Sequence, residues 1–182
     1  MIFLPSTVGS GSDVSQFAII IDARRRVKMS LISRSLTPNV SIIDPDMLST
    51  ANDKLILSSA VDALAHAVES YVSLIAHPLT ETLALKAIHL ILENIFPALK
   101  DREPEALENL SVAATSAGMS FSNASLGACH AIAHSLGGFF DIIHGMVHPA
   151  LPRGRKRRAE TKTPGNPSAN TTKKTTDRKS VV

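Results

Sequence analysis

At 182 residues, with 44% hydrophobic and 19% charged side chains, the chain can bury one real core, which excludes a wholly disordered protein. Its formal charge of +3 hides two parts of opposite sign: residues 151–182 hold ten Lys and Arg against two acids, and the preceding 150 hold nine against fourteen. The acidic body argues against a nucleic-acid partner, no uninterrupted apolar run reaches the roughly 18 residues of a membrane span, and a single cysteine, Cys129, excludes an internal disulfide and fits a reducing, cytoplasmic setting.

In chain order, the opening residues 1–5 are too short and lack the basic flank of a signal peptide. Residues 5–13, PSTVGSGSD, form a small, Gly-rich loop; it offers amides and hydroxyls to an anion, but a plain surface turn is the simpler reading. Phe17–Ile21 and Val27–Ile32 are β-prone runs around a polar turn and predict a hairpin, and Asn39–Asp44 predicts a further strand stopped by Pro45.

From about Lys54 the pattern turns helical, with Leu55–Val72 as a first helix. Residues 78–96 carry Leu85, Ile88, Leu92 and Ile95 at core-facing spacing, with Pro97 ending or kinking the helix. Pro104 opens another helix toward Ala117-Gly118. GACHAIAHSLGG reads as a helix closed by Gly137-Gly138. Residues 152–182, rich in Lys, Thr and Pro and nearly devoid of apolar side chains, predict a disordered basic tail.

Four of the seven histidines lie between 123 and 148, and His130 and His134 stand four apart, on one helix face. A second i, i+4 pair, Asp62 and His66, lies far upstream, and His144 follows just before Gly145. One carboxylate with three imidazoles suits Fe²⁺ or Zn²⁺ and leaves room for a substrate oxygen. The bland reading, buried helix histidines with ordinary partners, is weaker for two such pairs plus a third element than for a lone histidine. His77 and His89 fall outside the cluster.

DALAHAVESY, SNASLGACHAIAHSLGG and HGMV, in that order, resemble the signature of the iron-containing (group III) alcohol dehydrogenases, nearest the propanediol, lactaldehyde and methanol dehydrogenase type. PSTVGSGSDVSQFAIIID resembles the family's PTTAGTGSE segment, and IIDPDML its strand ending in Asp-Pro. The match runs from about Pro5 to Leu151, the central part of a longer enzyme. The resemblance implies α/β structure followed by a mainly α half, a fragment of the two-domain dehydroquinate-synthase-like fold. Residues 1–50 would then end the dinucleotide-binding domain, and 51–151 would begin the helical metal-binding domain.

The resemblance further implies metal ligation by Asp62, His66, His130 and His144, with His134 as the catalytic histidine beside nicotinamide and substrate. Ser6, Thr7 and Lys28 match cofactor-binding positions. The implied reaction is reversible NAD- or NADP-linked oxidation of a small alcohol to an aldehyde or ketone, with Fe²⁺ or Zn²⁺ as metal, and a homo-oligomer in the full-length parent. His148-Pro149 departs from the family's Asn-Ala; His148 is not taken as a ligand, although its closeness to His144 makes it the first alternative. The family's Gly-rich GGGS turn does not occur here, so weak nucleotide binding and exposed apolar helix faces are expected. Glycerol dehydrogenase and dehydroquinate synthase, with similar metal sites, are the alternative enzyme readings, and a catalytically inactive fragment is a third. A module binding nucleic acid through its basic tail is the non-enzymatic one.

Overall fold

The computed structural model describes residues 1–150 except Ala23, Arg26, Asp141 and Ile143. The expected disordered tail lies outside the described residues. Strands β1 (Ile2–Phe3), β2 (Phe17–Asp22), β3 (Val27–Ile32) and β4 (Val40–Ser41) precede five helices: α1 (Asp53–Tyr71), α2 (Pro78–Lys100), α3 (Pro104–Ala124), α4 (Ala128–Phe140) and α5 (His144–Ala150). β2 and β3 form the expected antiparallel hairpin, with Phe17 opposite Ile32 and Asp22 opposite Val27. The third strand shrinks to two residues, and β4 pairs in parallel with β1.

The core sits where α1, α2 and α3 pack together. Each helix turns an alanine face inward: Ala60, Ala63 and Ala67 on α1; Ala84, Ala87 and Ala98 with Ile91 on α2; Ala106, Ala113 and Ala117 with Leu110 on α3. Small side chains let the helix axes approach closely, and each face follows the i, i+3, i+7 rule. Polar side chains within this interface are satisfied internally. The Ser120 hydroxyl donates to the Thr80 carbonyl at 2.9 Å and lies 2.8 Å from the Ser70 hydroxyl. At the start of α1 the Asn52 side chain accepts from the Leu55 amide at 2.8 Å, a standard N-cap.

Several expectations are corrected. The stripe Leu85, Ile88, Leu92, Ile95 is not the buried face of α2: Leu85 is 50% and Leu92 59% exposed, while Ile88 and Ile95 only flank the core. Size misled the reading, because the close helix contact takes alanine and leaves the leucines outward. α2 runs through Pro97 to Lys100, α3 runs past Gly118 to Ala124, and α4 continues through Gly137-Gly138 to Phe140.

The Gly-rich loop is not a surface turn either: Val8, Gly9, Gly11, Asp13 and Ser15 are buried. Gly11 has φ +57° and packs against Gly118, where a Cβ on Gly11 would stand 2.7 Å from the Gly118 Cα. Asp13 pins the loop by accepting from Ser41 Oγ at 2.9 Å and Thr115 Oγ1 at 3.1 Å.

The expected exposed apolar faces are present. Ile20, Ile21 and Ile32 on the hairpin, and Leu79, Leu92 and Phe96 on α2, are largely exposed. Among the described residues, α2 is the one helix long and apolar enough by composition to cross a membrane, with mean hydropathy 1.3 over its best window. The alanine face of α2 packs on α1 and α3, while most of its leucines stay exposed.

Candidate metal centre

The middle of α1 carries Asp62, His66 and Glu69 on one face, the spacing of one and two helical turns. α4 supplies His130 and His134, and α5 supplies His144 and His148. α5 lies directly against α1 because Gly145 has no side chain: a Cβ there would overlap the Ser58 carbonyl oxygen. Three i, i+4 pairs on three helices are thereby turned toward one point.

At that point Asp62 Oδ1 lies 2.9 Å from His148 Nε2 and 3.6 Å from Nε2 of both His130 and His144. One donor atom from each of these four residues falls within 4.8 Å of all the others. His130 Nε2 and His144 Nδ1 are buried without a hydrogen-bond partner. The unpaired His130 Nε2, buried 3.6 Å from the Asp62 carboxylate, fits a divalent cation better than a purely hydrogen-bonded core.

His66 is placed differently. Its ring stacks on His130, centroids 4.4 Å apart at 20°, and packs on Phe121. Its Nδ1 contacts the Gly9 carbonyl at 3.2 Å, so the proton sits on Nδ1 and Nε2 is the free donor. The Gly-rich loop therefore orients a site histidine.

Glu69 is the residue the sequence reading missed, although it stands seven after Asp62 and three after His66, inside a motif already quoted. It accepts from His130 Nδ1 at 2.9 Å, from the His130 amide at 3.2 Å and from the Gly127 amide at 2.5 Å. Holding the Nδ1 proton leaves His130 Nε2 as the ligating atom. Glu69→Gln is expected to weaken divalent-metal affinity by about 10–100-fold, the usual cost of losing such a carboxylate partner, as read by calorimetric titration.

The electrostatics follow from burial around one anion. Burial alone would raise the Asp62 carboxyl, but the imidazoles of His130, His148, His66 and His144 hold it far below the usual carboxylate range. Burial depresses His66 and His144 to about 4, against the pull of Asp62 and with repulsion from neighbouring imidazoles. His130 alone is raised: Asp62 and Glu69 flank it and outweigh its burial. Glu69 is lowered, its burial outweighed by His130 and the Gly127 amide.

Groups lowered on folding take up protons first in the unfolded chain, so their stabilising contribution is present above pH 6.5 and lost as the pH falls toward about 4. His130 has the opposite sign, its contribution disappearing as the pH rises through its raised value. With two strongly lowered imidazoles against one raised, the urea midpoint of the metal-free chain is expected to fall between pH 6.5 and 4. A flat or rising midpoint over that interval would contradict the geometry.

A cavity of about 400 Å³ opens beside the cluster, lined by Phe17, Ile19, Phe121 and Leu126 as apolar walls and by Ser10, Lys28 and His134 as polar points. His134 faces His144, ring centroids 4.7 Å apart, and burial together with nearby His130 and Lys28 lowers its pKa. Lys28 reaches from β3 to Gly137, where a Cβ would come within 2.8 Å of its Nζ. Ser6 is exposed, and Thr7 lines a small separate crevice with Asp13 and Asp44. From this loop it is Ser10 that lines the cavity.

Comparison with known proteins gives a consistent result. The family described as "Fe-containing alcohol dehydrogenase family, C-terminal" matches residues 56–161, and "Iron-containing alcohol dehydrogenase" matches residues 1–45. Alcohol dehydrogenase 4 of Saccharomyces cerevisiae is 36% identical over 167 residues, covering 85% of this chain and 44% of its own. The 1,3-propanediol dehydrogenase of Citrobacter freundii is 38% identical, covering 80% and 38%. The solved alcohol dehydrogenase of Oenococcus oeni superposes with a TM-score of 0.79 at 34% identity, over 82% of this chain and 39% of that one. The chain thus spans less than half the length of these relatives.

Proposed function

The chain belongs to the iron-containing alcohol dehydrogenase family, and from that premise we propose that it is the metal-binding part of an enzyme that reversibly oxidises a small alcohol to an aldehyde or ketone with NAD or NADP. The observation that carries this reading is the convergence of Asp62, His130 and His144 on one buried point at the end of a cavity.

Asp62, His66, His130 and His144 are the proposed ligands of Fe²⁺ or Zn²⁺; the donor set accepts either ion. Bound there, such an ion supplies Lewis acidity toward an alcohol oxygen, and a nicotinamide supplies the hydride acceptor. The remaining work falls to side chains of this chain. Phe17, Ile19, Phe121 and Leu126 would give the reacting carbon an apolar wall. His134, neutral near physiological pH and one turn from His130, is placed to take the proton that a substrate hydroxyl releases. The Lys28 Nζ sits beside Gly137, where it would hold an anionic or carbonyl group of the cofactor. Ser6 and Thr7 remain proposed contacts to the dinucleotide.

The test is reduction of small aldehydes with NADH or NADPH after loading with Fe²⁺ or Zn²⁺. Turnover that disappears on chelation and in His134→Ala, with metal content unchanged in the variant, supports the reading. Metal uptake with no turnover across both nucleotides and a panel of aldehydes would reduce the chain to a metal-binding scaffold. The exposed leucines and isoleucines of α2 and the hairpin favour that inactive alternative for the 182-residue chain alone.

A further inference from the structure

Resting on the metal site just proposed, we infer that His148 is itself a metal ligand in this chain, joining Asp62, His130 and His144 through its Nε2.

Position is the first argument. His144 and His148 are one turn apart on α5, so the packing that delivers one imidazole delivers the other. The His148 side chain is only 4% exposed, and its Nε2 is the imidazole nitrogen nearest the Asp62 carboxylate, at 2.9 Å against 3.6 Å for His130 and His144. The four donors that share one mutual neighbourhood include His148 and do not include His66.

Hydrogen-bond accounting is the second. Three imidazole nitrogens crowd a single carboxylate oxygen, which has two lone pairs, and His130 Nε2 is left with no partner. A cation among the four donors satisfies all of them at once.

Support from behind is the third. Cys129 Sγ lies 3.5 Å from His148 Nδ1, on the side of the ring away from Asp62. In the metal-free chain the His148 Nε2–H donates to Asp62; a cation that displaces this proton would leave Nε2 free to ligate, with Nδ1–H turned to the Cys129 sulfur. Cys129 is thus a positioning residue.

An added imidazole changes the character of the centre. The donor set becomes richer in nitrogen, which suits Zn²⁺, an ion that can still expand its coordination to take a substrate oxygen.

The decisive experiment titrates the full chain, labelled with ¹⁵N-histidine, with Zn²⁺ alone. The ring nitrogens of His148 are expected to shift together with those of His130 and His144. In parallel, His148→Asn is expected to weaken Zn²⁺ binding at least about tenfold and to alter the visible spectrum of the Co²⁺-loaded chain, with partial recovery on adding free imidazole. Shifts at His130 and His144 without one at His148, or an unchanged Co²⁺ spectrum in a folded variant, would overturn this inference and leave the metal site standing. No shift at any histidine would overturn both. Because the labelled titration uses the unmodified chain, it decides the matter even where the variant does not fold.

Discussion

Asp62→Ala is expected to abolish divalent-metal binding and to destabilise the metal-free chain by about 3–5 kcal/mol, the usual cost of removing one partner from a buried ionic cluster. Asp62 is the only carboxylate among the four converging donors, and it is 8% exposed at the centre of four imidazoles. Its loss strands the His148 Nε2 hydrogen bond and leaves His130 with Glu69 alone. The chain has no tryptophan and one tyrosine, so circular dichroism in urea is the suitable stability readout, paired with calorimetric Zn²⁺ titration. Asp62→Asn separates the two effects: it preserves shape and a hydrogen-bonding oxygen, so much of the stability should return while metal binding does not. Metal binding retained by either variant would place the ion elsewhere.

Gly145→Ala is the second large effect, produced by a single methyl group. The added Cβ would overlap the Ser58 carbonyl oxygen, and backbone cannot rotate aside as a side chain can. Relief requires α5 to lift from α1, carrying His144 and His148 away from Asp62 together. We expect an overpacking cost of about 1–3 kcal/mol and a fall in metal affinity exceeding that of either histidine variant alone. The control is Gly127→Ala, whose Cβ would meet the Glu69 carboxylate, the far end of a flexible side chain. That variant should perturb His130 through Glu69 and leave α5 in place. Undiminished affinity in the Gly145→Ala variant would mean that α5 does not contribute ligands.

Local chemistry made much of this legible in the sequence. The hairpin followed from two β-prone runs around a polar turn, and α1 from the Asp-x-x-x-His repeat in an alanine-rich frame, its limits read to within about two residues. The histidine pairs were legible because i, i+4 spacing alone places both members on one face. What escaped depends on how separate segments meet. The inward face of α2 was misread because helix–helix approach selects alanine, and hydrophobicity by itself points to leucine. The glycines at 118 and 137 were read as helix ends, whereas they admit Gly11 and Lys28 against the helix surface. Glu69 was missed, and His148 left as an alternative only, for the same reason: their value lies in partners 61 and 86 residues away.

That last separation has a thermodynamic side. The Asp62–His148 contact joins points 86 residues apart, with the whole of α2, α3 and α4 between them. An ion gripping both ends would act as a reversible cross-link, and a covalent link around a loop of this size lowers the chain entropy of the unfolded state by the equivalent of about 4–5 kcal/mol. α5, already packed on α1 and α4, would then be fastened by coordination as well. Chelation should therefore loosen α5 first, and amide exchange there would report it before the helical core responds.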